Sequence, residues 1–254
     1  IKRNAPIEKI IRKGKSVTGV QAGGREYEFD FVISNADVNY TYDKLLNDSE
    51  SGEAKRYKKL EPSSSGLVFY WGIKGEYEAL EVHNILFSRD YTKEFNELFE
   101  QMIIPQDPTV YIYISSKYNA SDAPEGCSNF FVMINTPYDK GEITAEDIAG
   151  ARASVINTIL TRTGIDIEKN LLFEEILTPA LIEEKTSSRF GSIYGISSNN
   201  STAAFIRQAN RSKSYRNLYF CGGSAHPGGG IPLVIQSGML AAEKVIEDAE
   251  RGSK

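Results

Sequence analysis

A glycine-rich stretch offers the clearest chemistry in this chain. Residues 221–238 read CGGSAHPGGGIPLVIQSG. NLYFCGG, from Asn217 to Gly223, predicts a short apolar strand, and the residues from Pro232 onward predict a helix. A strand, a glycine turn and a helix bring unpaired backbone N–H groups and the positive end of a helix dipole to one point. Gly228, Gly229 and Gly230 lack Cβ atoms, so a planar or phosphorylated ligand could approach the main chain there. A strained connection without any ligand explains the same pattern equally well.

Other residues with chemical potential give weaker signals. The stretch matches neither standard phosphate-binding glycine pattern, so it predicts no phosphate loop. A histidine side chain can act as an acid or base, so His226 could do so beside a ligand, although a hydrogen-bonding role within the turn is equally compatible. The chain has two histidines and two cysteines, and their spacing predicts no metal site.

The composition narrows the class of protein. A net charge of −5 argues against a nucleic-acid partner, and two cysteines in 254 residues indicate a reducing compartment without a disulfide framework. No apolar run approaches the roughly 20 residues that span a bilayer. The chain begins at Ile1 and enters strand-like sequence at once, so we expect an internal or C-terminal piece of a longer protein.

Hydrophobic patterns divide the chain into three sections. Residues 1–61 predict strands, the last of which becomes continuously apolar, as in the central sheet of an α/β domain. Residues 62–204 combine strands and helices in an α+β arrangement. Residues 205–254 return to the first pattern with one strand and one closing helix, expected from Pro232 to Arg251.

Two helices of the middle section have specific start signals. One is expected to begin at the N-cap Thr92 and to turn Phe95, Leu98, Phe99 and Met102 inward. The other opens with the capping box Thr144-x-x-Asp147. Aromatic residues of the strands could line a tunnel for a long apolar substrate, or could simply alternate between the faces of ordinary strands; they are Phe69, Tyr70, Trp71, Tyr111 and Tyr113.

Several long stretches resemble one protein family. NLYFCGGSAHPGGGIPLVIQSGMLAAEKV is similar to the C-terminal signature of the phytoene desaturases, the bacterial carotenoid desaturases of the FAD-dependent, amine-oxidase-like superfamily. HNILFSRDYTKEFNELF and DPTVYIYISSKYNASDAPEGCSNFFVMINTP resemble the middle of that family. The opening, from IEKIIRKGKSVTGV through DFVISNAD, resembles the segment that completes its FAD-binding domain. The resemblance covers nearly the whole chain.

The resemblance implies a fold class, α/β plus α+β. Residues 1–61 and 205–254 would form the C-terminal remnant of a Rossmann-like FAD-binding domain, and residues 62–204 an inserted mixed-sheet substrate domain. The family's phosphate-binding glycines have no counterpart near the start of this chain. We therefore expect the chain alone to bind FAD weakly or not at all and to be inactive by itself.

The resemblance also implies a site. Gly222, Gly223 and Ser224 would lie along the cofactor, and the start of the closing helix would approach the flavin ring, at Gly230, Ile231 and Pro232. Ile7 would contact the adenine through its backbone, and Ser34 and Asn35 would end a strand near the cofactor. His226 is the candidate catalytic residue. Many amine-oxidase relatives have an acidic residue where Gly223 stands, and the family often has Arg-Pro in place of Arg207-Gln208.

The implied activity is FAD-dependent, phytoene dehydrogenase-like desaturation of a carotenoid-type polyene by hydride transfer to flavin. A quinone or oxygen would reoxidise the flavin, and the apolar substrate implies peripheral contact with the cytoplasmic face of a membrane. The alternatives are a carotenoid isomerase or saturase on the same flavin scaffold, or a non-enzymatic binding domain.

Overall fold

The computed structural model describes residues 1–197 and 206–252, which fall into two compact units. The first unit comprises Ile1–Ser63, Thr186–Arg189 and Ile193–Lys254; the second comprises Ser64–Lys185 and Phe190–Ser192. The expected end of the middle section at residue 204 lies outside the described residues. The assignment of cofactor and substrate roles to the sections stays a prediction.

Strands and helices are numbered in chain order within the described residues. The strands are β1 (Ile7–Lys13), β2 (Ser16–Ala22), β3 (Arg25–Glu28), β4 (Val32–Ser34), β5 (Ser65–Lys74), β6 (His83–Leu86), β7 (Val110–Tyr113), β8 (Cys127–Thr136), β9 (Leu171–Leu177) and β10 (Leu218–Phe220). The α-helices are α1 (Val38–Tyr40), α2 (Gly52–Lys58), α3 (Tyr91–Phe99), α4 (Ala145–Thr163), α5 (Ile167–Asn170), α6 (Pro179–Thr186) and α7 (Ile231–Gly252). A π-helical turn, Thr41–Leu45, follows α1, and short 3₁₀ turns occupy Ser115–Lys117, Ala120–Asp122 and Arg189–Gly191.

The first unit contains two small sheets. β1, β2 and β3 form an antiparallel meander, whereas β4 and β10 pair in parallel with Ser34 opposite Phe220. All three residues of β10 are buried, in keeping with its unbroken apolar sequence. The parallel pair confirms the α/β character expected for the two ends of the chain.

The second unit is built on a five-stranded sheet in the order β6-β7-β8-β5-β9. The expected α+β class is confirmed, but every strand pair is antiparallel rather than mixed in direction. The chain passes from β8 to β9 through α4 and α5. In the sheet, β5 lies between these two strands and runs antiparallel to both. The crossover therefore creates no parallel neighbours.

The two faces of this sheet differ. Phe69 and Trp71 point into a core that also contains Val155 and Ile159 of α4. Alternate residues of the same strands lie on the opposite, open face, among them Tyr70, Tyr111 and Tyr113. Of the five aromatic residues singled out in the sequence, two are thus core residues and three line the open face.

Helix α3 corrects two expectations. Asp90, not Thr92, caps the helix, because its carboxylate accepts a hydrogen bond from the N–H of Lys93 at 2.9 Å. The inward face contains Leu98, as expected, together with two buried carboxylates, Glu94 and Glu97. They can be buried because backbone N–H groups of the segment leading into β7, at Thr109 and Gln106, donate to them.

That arrangement turns aromatic residues outward. Phe95 is 40% exposed and packs between Tyr91 and Phe99 with tilted rings, at centroid distances of 4.5 and 5.3 Å. The expectation that Phe95 packs inward is therefore wrong. The capping box of Thr144 and Asp147 is present as expected, at the start of α4.

The side chain of Glu53, in α2, connects several segments of the first unit through hydrogen bonds. Its carboxylate accepts hydrogen bonds from Tyr42, Gln208 and Ser212 side chains at 2.8, 3.0 and 2.8 Å, and from the N–H groups of Lys213 and Ser214. Burial by itself would raise the pKa of this carboxyl, but the hydrogen bonds outweigh it and lower the pKa to about 2.

This shift makes the stability of the chain depend on acid pH. Because the folded pKa lies below the usual value of 4.5, the unfolded chain binds more protons between these two values, and stability falls as the pH drops from 4.5 to about 2. At neutral pH, the lowered pKa of Glu53 contributes at most about 3 kcal/mol to the free energy of unfolding. We expect Glu53→Gln to lower the free energy of unfolding at pH 7 and to flatten its acid dependence, as measured by urea denaturation.

Glu243→Gln is the matched control, since Glu243 lies on the exposed side of α7. If the free energy of unfolding of Glu53→Gln fell with acid pH as steeply as that of the unmodified chain, Glu53 would not be the source of the acid dependence.

Candidate functional site

Two parallel strands of the first unit end at the same edge and bring three of the predicted site residues together. The N–H of Cys221, just after β10, donates to the carbonyl of Ser34 at 3.0 Å. Gly222 follows with a φ of 93° and lies against Asn35, so closely that a Cβ would overlap the Asn35 side-chain oxygen. A glycine is therefore needed where the two strand ends meet.

The turn after β10 is held from one side by Asn210 and Ser237. The Asn210 amide donates to the carbonyls of Phe220 and His226 at 3.1 and 2.9 Å. The Ser237 hydroxyl, from within α7, donates to the same His226 carbonyl at 2.7 Å and accepts from the N–H of Gly222 at 3.2 Å. These hydrogen bonds fix strand, turn and helix relative to one another.

Arg207 binds the same turn through its guanidinium. Nη1 donates to the carbonyls of Gly223 and Tyr194 at 2.9 and 2.7 Å, and Nη2 donates to the carbonyl of Ile196 at 3.1 Å. Arg207 is only 6% exposed, and burial lowers the pKa of its guanidinium, which nevertheless stays charged at neutral pH. A positive charge therefore lies directly against the turn.

Helix α7 adds to this positive potential. It begins at Ile231, one residue before the expected start at Pro232, and the N–H of Val234 makes its first bond, to the carbonyl of Gly230 at 2.9 Å. The N–H groups of the first turn point outward from a helix of 22 residues. Pro232 lacks a backbone N–H, but an N–H in this first turn would have no partner within the helix in any case.

The outer side of the turn leaves room for a neighbour. A Cβ added to Gly230 would meet no atom within 4 Å, and one added to Gly223 would meet only the Gly229 α-carbon, at 3.9 Å. At Gly223 and Gly230 the main chain can thus approach a ligand closely, next to a helix start and a buried guanidinium, whereas the Arg207 and Tyr194 side chains already lie against Gly228 and Gly229. This combination favours a planar or anionic ligand.

A cavity of about 540 Å³ lies beside the strand ends. Ile7, Ser34 and Asn35 all line it, together with Tyr40 and Ser187. Its other lining residues are apolar: Pro6, Ile10, Val20, Phe29, Phe31, Val32, Ile33, Ala36 and Leu45. The structure therefore brings these three predicted residues to one cavity. Gly222 adjoins it through Asn35.

His226 lies elsewhere. Its side chain is exposed and lines a separate cavity of about 280 Å³, together with Arg207, Arg211 and Lys244. Its backbone carbonyl, not its imidazole, makes the hydrogen bonds that hold the turn. The catalytic role of His226 stays a prediction. Among the residues that the structure describes, no three His, Cys, Asp or Glu side chains form a group that could hold a metal ion.

Sequence reasoning missed the residues that build the turn from behind, Arg207, Asn210 and Ser237. Each acts on partners 10 to 27 residues away along the chain. No local period or motif marks such contacts. The one available signal was the position of Arg207, where the resembling family often has Arg-Pro in place of Arg207-Gln208.

The conformation of the turn can be tested with two glycine substitutions. Gly222→Ala adds a Cβ at a positive φ and against Asn35, so we expect it to lower the free energy of unfolding by about 1–3 kcal/mol. Gly238→Ala, in the middle of α7, meets nothing within 4 Å and should raise stability by up to about 1 kcal/mol. Urea denaturation of both variants measures the difference, and equal stabilities would contradict the geometry.

The chain is similar over nearly all of its length to proteins that modify carotenoids. No family model matches the chain. It is 44% identical to a 1-hydroxycarotenoid 3,4-desaturase from Flavobacterium sp., over 94% of this chain and 49% of that protein. It is 35% identical to a 4,4′-diaponeurosporene oxygenase from Staphylococcus haemolyticus, over 90% of this chain and 46% of that protein. The chain thus spans about half the length of the curated relatives it matches.

Among solved structures, cyclohexylamine oxidase from Brevibacterium oxydans has a similar fold. The TM-score is 0.59 at 10% identity, over 96% of this chain and 48% of that chain. This likeness shows the fold alone. The identity to carotenoid-modifying proteins over nearly all of this chain agrees with the resemblance of its glycine-rich signature, and the chain belongs to the bacterial carotenoid desaturase family.

Proposed function

We propose that this chain carries the flavin-facing turn and the substrate-facing sheet of an FAD-dependent oxidoreductase that desaturates a carotenoid-type polyene. The observation that carries the proposal is the open glycine turn at the start of α7, in a chain 44% identical to a carotenoid desaturase. The desaturation and the identity of the polyene are part of the proposal.

The residues of the turn fit FAD. Gly222, Gly223 and Ser224 would lie along the cofactor through their backbone, and Gly230, Ile231 and Pro232 would approach its ring. The absence of side-chain obstruction at Gly223 and Gly230 supports this arrangement. Bound FAD would supply hydride acceptance, the redox chemistry that a desaturation requires. The α7 N-terminus and Arg207 would stabilise negative charge on the ligand.

Ile7, Ser34 and Asn35 would hold another part of the cofactor in the 540 Å³ cavity that they line. Its apolar walls suit a flat aromatic group, and the backbone of Ile7 would supply the polar contact to the adenine. No phosphate-binding glycine pattern occurs in this chain. We therefore expect the chain by itself to bind FAD weakly or not at all.

The open face of the five-stranded sheet supports an apolar substrate. One row of neighbouring side chains crosses all five strands: Leu177, Val68, Met133, Tyr111 and Ile85. The next row consists of Glu175, Tyr70, Phe131, Tyr113 and His83. Five strands span about 19 Å from the first to the last. A rigid conjugated chain laid across them would contact aromatic side chains along most of that width.

Among the described residues at the turn, no side chain is a compelling catalytic base. We therefore propose that substrate positioning and the cofactor account for most of the rate, with His226 as the one candidate for proton transfer. A quinone or oxygen would serve as the electron acceptor.

Peripheral membrane contact belongs to the same proposal. In the second unit, the aromatic residues Phe87, Tyr91 and Phe95 are exposed. Arg89 and Lys93 alternate with them in the sequence and form ion pairs with Asp107 and Glu97. None of the helices in residues 1–197 and 206–252 is long and apolar enough to cross a bilayer. Contact through exposed side chains is the arrangement that this surface supports.

A hybrid enzyme tests the proposed function. This chain would replace the matching half of the Flavobacterium desaturase, to which it is 44% identical. We expect the purified hybrid to contain FAD and to shift the absorption of an acyclic carotenoid to longer wavelength, as added conjugated double bonds require. The unmodified Flavobacterium protein is the matched control.

Other outcomes discriminate the alternatives. Product with an unchanged number of double bonds would favour an isomerase, and product with fewer would favour a saturase. A folded hybrid without flavin would contradict the proposal and favour a non-enzymatic binding domain.

A further inference from the structure

A polar pair lies at one end of the otherwise largely apolar open face of the second unit. His83 Nδ1 and the Tyr111 hydroxyl are 2.8 Å apart. The imidazole also stacks on two rings, with centroid distances of 4.9 Å to Tyr113 and 6.1 Å to Tyr111. Stacking and hydrogen bonding together hold His83 in one orientation at the outer strand, β6.

The hydrogen-bonding capacity of this pair does not depend on the histidine tautomer. If Tyr111 donates to Nδ1, Nε2 carries a proton and can donate, while the Tyr111 oxygen can still accept. If Nδ1 donates to Tyr111, Nε2 accepts and the Tyr111 O–H donates. The neutral pair therefore always presents one free donor and one free acceptor. No residue that the structure describes makes a hydrogen bond with Nε2.

The phenol keeps its proton under ordinary conditions. Partial burial, together with the neighbouring Tyr113, raises the pKa of Tyr111. The aromatic neighbours of the pair continue toward the middle of the sheet, where Phe131 lies 6.2 Å from Tyr111 and 5.5 Å from Tyr70 between ring centroids. An apolar chain on these rings would end beside a group that can both donate and accept.

A hydroxyl is the ligand group that matches this pair, because it too has one donor and free lone pairs. A carbonyl would satisfy only the donor. A hydrocarbon end would cover the pair without satisfying either, which costs binding free energy. We propose that His83 and Tyr111 bind the hydroxyl of a polyene with an oxygenated end, whose conjugated part lies on the open face. This inference rests on the proposed function, because it needs a polyene on that face.

Trp71 provides a direct measure of binding. It is the only tryptophan of the chain and lies in β5 next to Tyr70, on the core side of the same sheet. A conjugated polyene on the open face would quench its fluorescence by energy transfer. The probes are 4,4′-diaponeurosporene, a hydrocarbon, and the primary alcohol made from it by hydroxylation of one terminal methyl group, both in detergent micelles. The readout requires neither flavin nor turnover.

The variants remove the polar atoms while keeping the aromatic surface. His83→Phe retains a ring that can stack on Tyr113, and Tyr111→Phe loses only the hydroxyl. We expect each to weaken binding of the alcohol about five- to tenfold, with no loss of hydrocarbon binding. The double variant should bind the alcohol about as tightly as either single variant does, since the two substitutions remove one shared site. Tyr118→Phe, at a residue that is 88% exposed, is the control.

The outcomes separate this inference from the proposed function. If both probes quench Trp71 but the two variants bind the alcohol as tightly as the unmodified chain does, the hydroxyl site is refuted and the polyene face stands. If neither probe quenches Trp71 in the unmodified chain, the polyene face itself is refuted, and the hydroxyl site with it.

Discussion

The hydrogen bonds from Asn210 and Ser237 to the turn after β10 are the constraint on which the candidate cofactor site depends. They satisfy the polar groups of the turn from behind, at the carbonyls of Phe220 and His226 and the N–H of Gly222. Because these backbone groups already have partners within the chain, they need none on the opposite side of the turn. Arg207 reinforces this asymmetry, because its buried guanidinium binds the carbonyl of Gly223.

The same division between a supported and an open side recurs in the second unit. The core of that unit holds one face of the five-stranded sheet against α4, and the alternation of strand residues then necessarily turns a second set of side chains outward. Because that set is aromatic and aliphatic across all five strands, it forms a continuous surface. In the two rows of side chains that cross all five strands, the polar exceptions are Glu175 and His83, at the two outer strands, β9 and β6.

Local patterns were enough to predict some of these features. The helix after Gly230 and the Thr144 capping box depend on neighbouring residues, and the helix bounds were predicted to within one residue. The apolar strand β10 was also predicted, but over residues 217–223, three residues beyond its observed end at Phe220. The exposure of Phe95 could not be predicted in this way, because Glu94 and Glu97 are buried only by backbone donors from outside α3. Likewise, the period of two gives the alternation of Tyr70 and Trp71 but does not say which of them faces α4. Arg207, Asn210 and Ser237 act across similar gaps in sequence, so their roles appear only in three dimensions.

The claim that a flavin lies against the open side of the turn can be measured most directly by filling that side. A Cβ at Gly223 would meet only the Gly229 α-carbon, at 3.9 Å, and the backbone of Gly223 is outside the left-handed region. Gly223→Val should therefore leave the urea midpoint of this chain by itself nearly unchanged, whereas the desaturase hybrid would lose the stability that bound FAD provides. We predict that it abolishes the FAD content of that hybrid. A folded Gly223→Val hybrid with as much FAD as the unmodified hybrid would contradict the placement of the cofactor at this turn.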